Sequence, residues 1–282
     1  MAPHRPKSVE LRIHEHYEDL SDSERKLAET VLRLPGDLGS RSVTELAILA
    51  GVSKASGTRF FQKLGYSSYE EARKQSRDRQ NWGSPLYLEN KSSSHHVELK
   101  EYISEEVELL KHSLGQLNYT ELHDAALAII AAKRIWIAGF RNSHFLAAYL
   151  RWQIVQFRGD VYTLPAAGET VGEYTADFTK SDLVIGIGLR RRLRQLTQIM
   201  EQAKTCQTKR LLITDNTARR IPALAHWCFK VETRSPLVFD TATASLSLLR
   251  LIAVTAFLYS GKPGRAHMER VERQHELLGE LE

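Results

Sequence analysis

The stretch that most constrains this chain runs from Ser42 to Gly65, SVTELAILAGVSKASGTRFFQKLG. Ser42 followed three residues later by Glu45 is a capping box, and Val43, Leu46, Ala47 and Ala50 then recur at helical spacing. The spacing predicts a short helix with one apolar stripe. Gly51 supplies the permissive backbone that a tight turn needs, Val52 can plug the corner, and Ser53 is a good cap for a second helix. Small Ala47, four residues before Gly51, lets two helices cross closely. Helix, short turn with glycine, helix is the helix-turn-helix pattern. On the second helix Gly57, Phe60, Phe61 and Leu64 fall toward one side. Ser53, Lys54, Ser56, Thr58, Arg59, Gln62 and Lys63 are left on or near the other, a cationic face rich in donors. Such a face suits a major groove, where arginine reaches guanine edges and hydroxyls hold phosphates, so these seven are the expected DNA contacts. The plainer reading is a two-helix corner with a solvated basic face. Gly57 stands out, because glycine inside a helix costs about 1 kcal/mol relative to alanine.

Around this core the chain divides into an all-α domain over residues 1–80, a linker over 81–97 and an α/β domain over 98–282. Residues 1 to 8 carry no structural pattern. A short helix is expected from Val9 to Tyr17, and Ser21 with Glu24 opens another whose apolar positions are Leu27, Ala28, Val31 and Leu32; Pro35 and Gly36 stop it. After Gly65-Tyr66 a helix should turn Tyr69 and Ala72 inward and Arg73, Lys74, Arg77 and Arg79 outward, where they could grip phosphates. The linker holds Gly83, Ser84, Pro85 and a polar run from Lys91 to His96. Its His95 and His96 lack a third metal ligand at useful spacing.

Past two helices, near Glu98–Leu117 and Tyr119–Ala132, the periodicity changes. Short apolar runs at Arg134–Phe140, Asp160–Leu164, Asp182–Gly188, Arg210–Thr214 and Trp227–Val231 alternate with helical stretches near Ser143–Phe157, Thr170–Phe178, Leu193–Ala203 and Arg219–Ala225. That alternation predicts a five-stranded parallel sheet covered on both faces, an α/β/α domain. Ala242–Tyr259 closes it as an almost wholly apolar helix, which must be buried in the core or against another subunit, the dimer contact being the favoured expectation.

Composition sets outer limits. With 282 residues, 42% of them hydrophobic, there is material for two cores, and a formal charge of +5 agrees with an anionic partner. Two cysteines, Cys206 and Cys228, in apolar surroundings read as reduced core residues of a cytoplasmic protein, without disulfide or metal. The N-terminus lacks an apolar signal core, and no apolar run approaches the roughly 20 residues a bilayer crossing takes, so no membrane is expected. No cofactor is expected either.

In an open parallel sheet, ligands sit at the carboxyl ends of strands, where helix N-termini favour anions. Two loops fit. One is Gly139-Phe140-Arg141-Asn142-Ser143. The other is Gly186-Ile187-Gly188-Leu189-Arg190-Arg191-Arg192. Arg141, Asn142, Ser143, Arg190, Arg191 and Arg192 are therefore the expected contacts of an anionic small molecule, the alternatives being a patch for a partner subunit or a solvated loop.

The run SVTELAILAGVSKASGTRFFQKLGYSSYEEAR and the element order from Arg134 to Gly261 resemble the RpiR-type bacterial transcriptional regulators, which join a helix-turn-helix to a sugar isomerase (SIS) domain. The resemblance implies homodimers or homotetramers on palindromic double-stranded operators that respond to phosphosugars, with Ser143 at a position where the family offers a hydroxyl. Two departures stand out. Gly188-Leu189-Arg190-Arg191-Arg192 replaces a phosphate loop rich in serine, glycine and threonine, and Ala218-Arg219-Arg220-Ile221-Pro222 replaces a common Ser-Pro pair. Arginine forks match carboxylates as well as phosphates, so a carboxylate effector is a further expectation. Two other readings stand beside the regulator. The SIS fold also hosts aldose–ketose isomerases, for which Glu169, Glu173 and His144 are the nearby bases; alternatively, the second domain serves assembly alone.

Overall fold

The computed structural model describes residues 7–33, 37–81, 97–166, 168–233, 235 and 239–281. The linker expected at 81–97, with His95 and His96, falls almost wholly outside them, as do Pro35, Gly36 and the side chain of Arg79. The chain separates into two compact units, one within Met1–His95 and one built from His96–Ser235 and Asp240–Glu282.

The first unit is helical: α1 Val9–His16, α2 Asp22–Arg33, α3 Val43–Leu49, α4 Lys54–Lys63 and α5 Tyr69–Asn81. Order begins earlier than the sequence suggests. Ser8 Oγ caps α1 by accepting from Leu11 N–H at 3.1 Å, and Lys7 pairs with Glu15 at 2.7 Å. The core gathers Val9, Ile13, Leu27, Ala28, Val31, Leu46, Phe60, Phe61, Leu64, Tyr66 and Tyr69. Phe61 meets Phe60 at 5.0 Å and Tyr69 at 4.9 Å, both edge-on. Phe60 and Phe61 are fully buried, each stabilising the unit by about 1.5–3 kcal/mol.

The second unit contains α6 Leu99–Gly115, α7 Tyr119–Ala131, β1 Ile135–Gly139, α8 Asn142–Val155, β2 Val161–Leu164, α9 Gly172–Thr175, β3 Leu183–Gly188, α10 Arg194–Thr205, β4 Lys209–Asp215, β5 Trp227–Val231 and α11 Thr243–Leu278. All five strands are parallel, in the order β2-β1-β3-β4-β5. Residues alternate between faces, so Ile135, Ile137, Ile185 and Ile213 pack under α7, α8 and α11, while Trp136, Ala138, Val184 and Leu212 pack under α10. This is a three-layer α/β/α domain. The stretch expected as a helix at Arg219–Ala225 is one turn of 3₁₀ helix, Ile221–Leu224.

Helix α11 differs most from expectation. It runs 36 residues, broken at Gly261, whose φ of +61° is non-helical, with Pro263 just beyond. By length and composition it could span a bilayer, contrary to the sequence reading. In the fold its first arm supplies core instead: Ala244, Leu248, Leu249, Ile252, Ala253 and Ala256 are buried with α7 and α8.

One buried ion pair holds β3 near its start. Arg134 donates to both Asp182 oxygens at 3.1 and 2.9 Å, and Thr179 adds N–H and hydroxyl donors at 2.9 and 3.0 Å. Burial alone would push the Asp182 carboxyl up, but these donors more than offset it and hold it below the usual carboxylate range. A depressed carboxylate contributes stability that is present above the unfolded value, about pH 3.9, and lost as pH falls through the lower folded value. The thermal midpoint of Asp182→Asn should therefore lie below wild type at neutral pH and converge with it in acid. Parallel curves would show that Asp182 carries no proton linkage.

Candidate functional site

The helix-turn-helix forms as its residues dictate. Glu45 accepts from the Ser42 backbone at 2.7 Å and Ser42 Oγ from Glu45 N–H at 3.2 Å, the reciprocal cap. Gly51, at φ +64°, makes the turn, and Val52 N–H closes it on Ala47 O at 2.9 Å. Gly57 is buried at the helix crossing, where a Cβ would stand 3.0 Å from Val43 Cγ2. Its lost helix propensity is offset by that close approach.

The expected DNA residues divide into three groups. Lys54, Arg59 and Gln62 are exposed along α4. Ser53, Ser56 and Thr58 have part of their capacity engaged: Ser53 Oγ caps Ser56 N–H at 3.1 Å and lies 2.9 Å from Ser56 Oγ, while Thr58 leans on Lys54 O at 3.4 Å. Lys63 is held elsewhere, its Nζ 2.5 Å from Asp19 O and 3.0 Å from Glu24. Burial raises the Glu24 carboxyl, but the Ser21 N–H and Lys63 bring it below the usual range. Arg73 and Arg77 likewise turn onto Gly39 O, at 3.3 and 2.7 Å, satisfying a carbonyl rather than standing clear as expected, and Lys74 remains exposed. Sequence reasoning missed Arg12. Its guanidinium donates to Leu64 O and Gly65 O at 2.8 and 2.9 Å, closing the C-terminal end of α4, and lies 4.2 Å over Tyr66.

In the second unit the strand order reverses direction at β1, so the crevice outside β1 and β3 is the switch point where such sheets take ligands. Gly139 and Ile187 are in register, and both predicted loops leave from these tips. Ser143 is buried in the first turn of α8, with its Oγ 3.5 Å from Leu189 N–H. Arg141 and Asn142 are exposed beside it.

The three consecutive arginines part company. Arg192 donates to Asp215 at 2.5 Å, Thr217 at 2.9 Å and Gly188 O at 3.1 Å, tying the tips of β3 and β4. Arg190 pairs with Asp240 at 2.8 Å with its side chain 4% exposed. Burial pushes the Asp240 carboxyl up while Arg190 pulls it back. Arg191 is exposed, at φ +62°. Asp215 and Asp240 are residues of this edge that the sequence did not single out.

The bases considered for isomerase chemistry are poorly prepared. Glu173 is exposed, and a 2.6 Å hydrogen bond from the Thr170 hydroxyl holds its carboxyl below the usual range. Glu169 is exposed and His144 half-buried against Phe145. A carboxylate stabilised as an anion is a weak proton acceptor.

The model of the helix-turn-helix domain of the rpiR family matches residues 7–78, and that of the SIS domain residues 128–255. The chain is 26% identical over 231 residues to the uncharacterized HTH-type transcriptional regulator YfhH of Escherichia coli strain K12, covering 77% of this chain and 79% of that one. It is 22% identical over 234 residues to the uncharacterized HTH-type transcriptional regulator YbbH of Bacillus subtilis strain 168, covering 80% and 81%. Among solved structures, the sugar isomerase domain of an RpiR transcription factor from Sphaerobacter thermophilus superposes with a TM-score of 0.58 at 19% identity, over 62% of this chain and 97% of that one. The Vibrio vulnificus NanR protein complexed with ManNAc-6P gives 0.57 at 15% identity, over 96% and 99%. The chain belongs to the RpiR family of helix-turn-helix transcriptional regulators, with a SIS domain after the DNA-binding domain.

Proposed function

We propose that the chain is a cytoplasmic regulator that binds a palindromic operator as a homodimer or homotetramer and changes its grip when an anionic metabolite enters the crevice outside β1 and β3. The observation that carries the reading is the exposed row Lys54, Arg59 and Gln62 on α4, whose opposite face is locked into the core by Phe60, Phe61 and Leu64. A dimer would set two such helices one duplex turn, roughly 34 Å, or a multiple of it apart. Exposed Phe145 and Trp152 on α8, and Leu99, Ile103 and Val107 on α6, are apolar surface available for subunit contact. NanR, a relative in fold, is recorded with ManNAc-6P, which supports phosphosugars as the first metabolites to try, with sugar acids next. Glu173 is poorly suited to proton abstraction, so the domain is read as binding without turnover.

Selection of random duplexes by the purified chain should enrich a sequence with two inverted half-sites. A phosphosugar or carboxylate recognised by the second unit should then change affinity for that sequence about 5- to 150-fold. A selected pool no tighter than random duplex would overturn the DNA-reading half. A screen in which no anion alters affinity would leave the second unit to assembly.

A further inference from the structure

The β1 and β3 tips bear four arginines, and the structure divides them evenly. Arg190 and Arg192 are committed to Asp240 and Asp215. Arg141 and Arg191 are exposed, and among the described residues neither guanidinium has a hydrogen-bond partner. Each also sits at positive φ, +57° and +62°, a conformation that non-glycine residues keep only when their surroundings enforce it. Their loops leave neighbouring strands and meet where Leu189 N–H approaches Ser143 Oγ, so the two arginines flank one crevice. Burial lowers the Arg191 guanidinium from its ordinary value, and the Arg141 charge lowers it further.

The hydroxyls at this edge are buried or half-buried: Thr214 donates to Gly188 O at 2.7 Å, Thr217 accepts from Arg192, and Ser143 faces Leu189 N–H. The donors exposed to a ligand are the two guanidinium forks and the Asn142 amide beside Arg141. A single negative charge would leave one fork uncompensated against the other.

Building on the regulatory reading above, we infer that Arg141 and Arg191 form a two-fork clamp for a compact dianion, a phosphate monoester or a dicarboxylate. Recognition rests on paired guanidinium forks rather than on a hydroxyl-lined loop.

Calorimetric titration of the full chain at fixed ionic strength tests this, with inorganic phosphate, malonate and acetate as probes. Phosphate or malonate should bind at least about tenfold tighter than acetate. Arg141→Ala and Arg191→Ala should each cost at least about tenfold, as expected when a charged hydrogen-bonding group is removed. Lys180→Ala, which removes the same charge before β3, should bind like wild type. Arg141→Lys separates the two sources: a phosphate site keeps much of its affinity with a point charge, whereas a dicarboxylate site that needs the planar fork does not. Dianion binding that survives both alanine variants would overturn the clamp yet leave anion sensing standing. Failure of every probe to bind would overturn both.

Discussion

Replacing Arg59 with alanine is expected to weaken binding to the selected operator by about 1–3 kcal/mol, roughly 5- to 150-fold, while leaving oligomeric state and thermal midpoint unchanged. Arg59 is exposed on α4, and its Nε is only loosely tied, 3.4 Å from Ala55 O, so its guanidinium can turn into a groove without breaking a strong contact. A bidentate arginine on guanine discriminates between sequences, so the loss should concentrate on the selected site and spare random duplex. Lys54→Ala should behave differently. Beside the N-cap of α4 its charge suits a phosphate, and removing it should weaken all duplexes alike and lower the salt slope by about one. Fluorescence anisotropy across a salt series, on selected and random duplexes, separates the two patterns. Equal losses on both duplexes for Arg59→Ala would remove it from base reading. Lys63→Ala should act mainly on stability, because its ammonium bridges α4 to Asp19 and Glu24.

The helix-turn-helix was legible because its instructions are local. The cap Ser42–Glu45, the turn glycine and the apolar stripe all act within a few residues, and each forms as written. The sheet was legible for a related reason: continuous apolar runs such as Leu183–Gly188 are buried along their whole length. Long cationic side chains were not. Arg73 and Arg77 look like phosphate grips in sequence, yet each reaches back more than thirty residues to Gly39 O, and nothing local announces a carbonyl in need of a donor. Arg190 and Arg192 are alike on paper, and only the sheet brings Asp240 and Asp215 to them from 50 and 23 residues away. The sequence reading ends the last helix at Tyr259, whereas α11 breaks at Gly261 and resumes through Pro263 to Leu278. Proline is equally at home in the first turn of a new helix, where its missing N–H is not needed, and here the chain breaks and resumes.

Gly139→Ala should be the most damaging single-methyl change at the sheet edge. A Cβ there would lie 2.2 Å from Ser143 O, 2.7 Å from Ser143 C and 3.1 Å from Ala147 Cβ. The first two are backbone atoms, so the N-terminal turn of α8 must move away from β1. A cost of about 3 kcal/mol is expected, the upper part of the usual range for overpacking. That corresponds to a fall of roughly 6–12 °C in the midpoint of a domain this size. Gly188→Ala should cost less, because the close atoms it meets, Leu196 Cδ2 at 2.3 Å and Arg192 Cδ and Cγ at 3.1 Å, belong to side chains that can turn. Gly159→Ala, with nothing within 4 Å, is the neutral control. Because the displaced turn carries Asn142 and Ser143 and follows Arg141, Gly139→Ala should also abolish the anion response while the DNA affinity of the first unit persists. A Gly139→Ala protein with wild-type midpoint and response would mean that α8 does not approach β1 as closely as described, and the crevice would lose its floor.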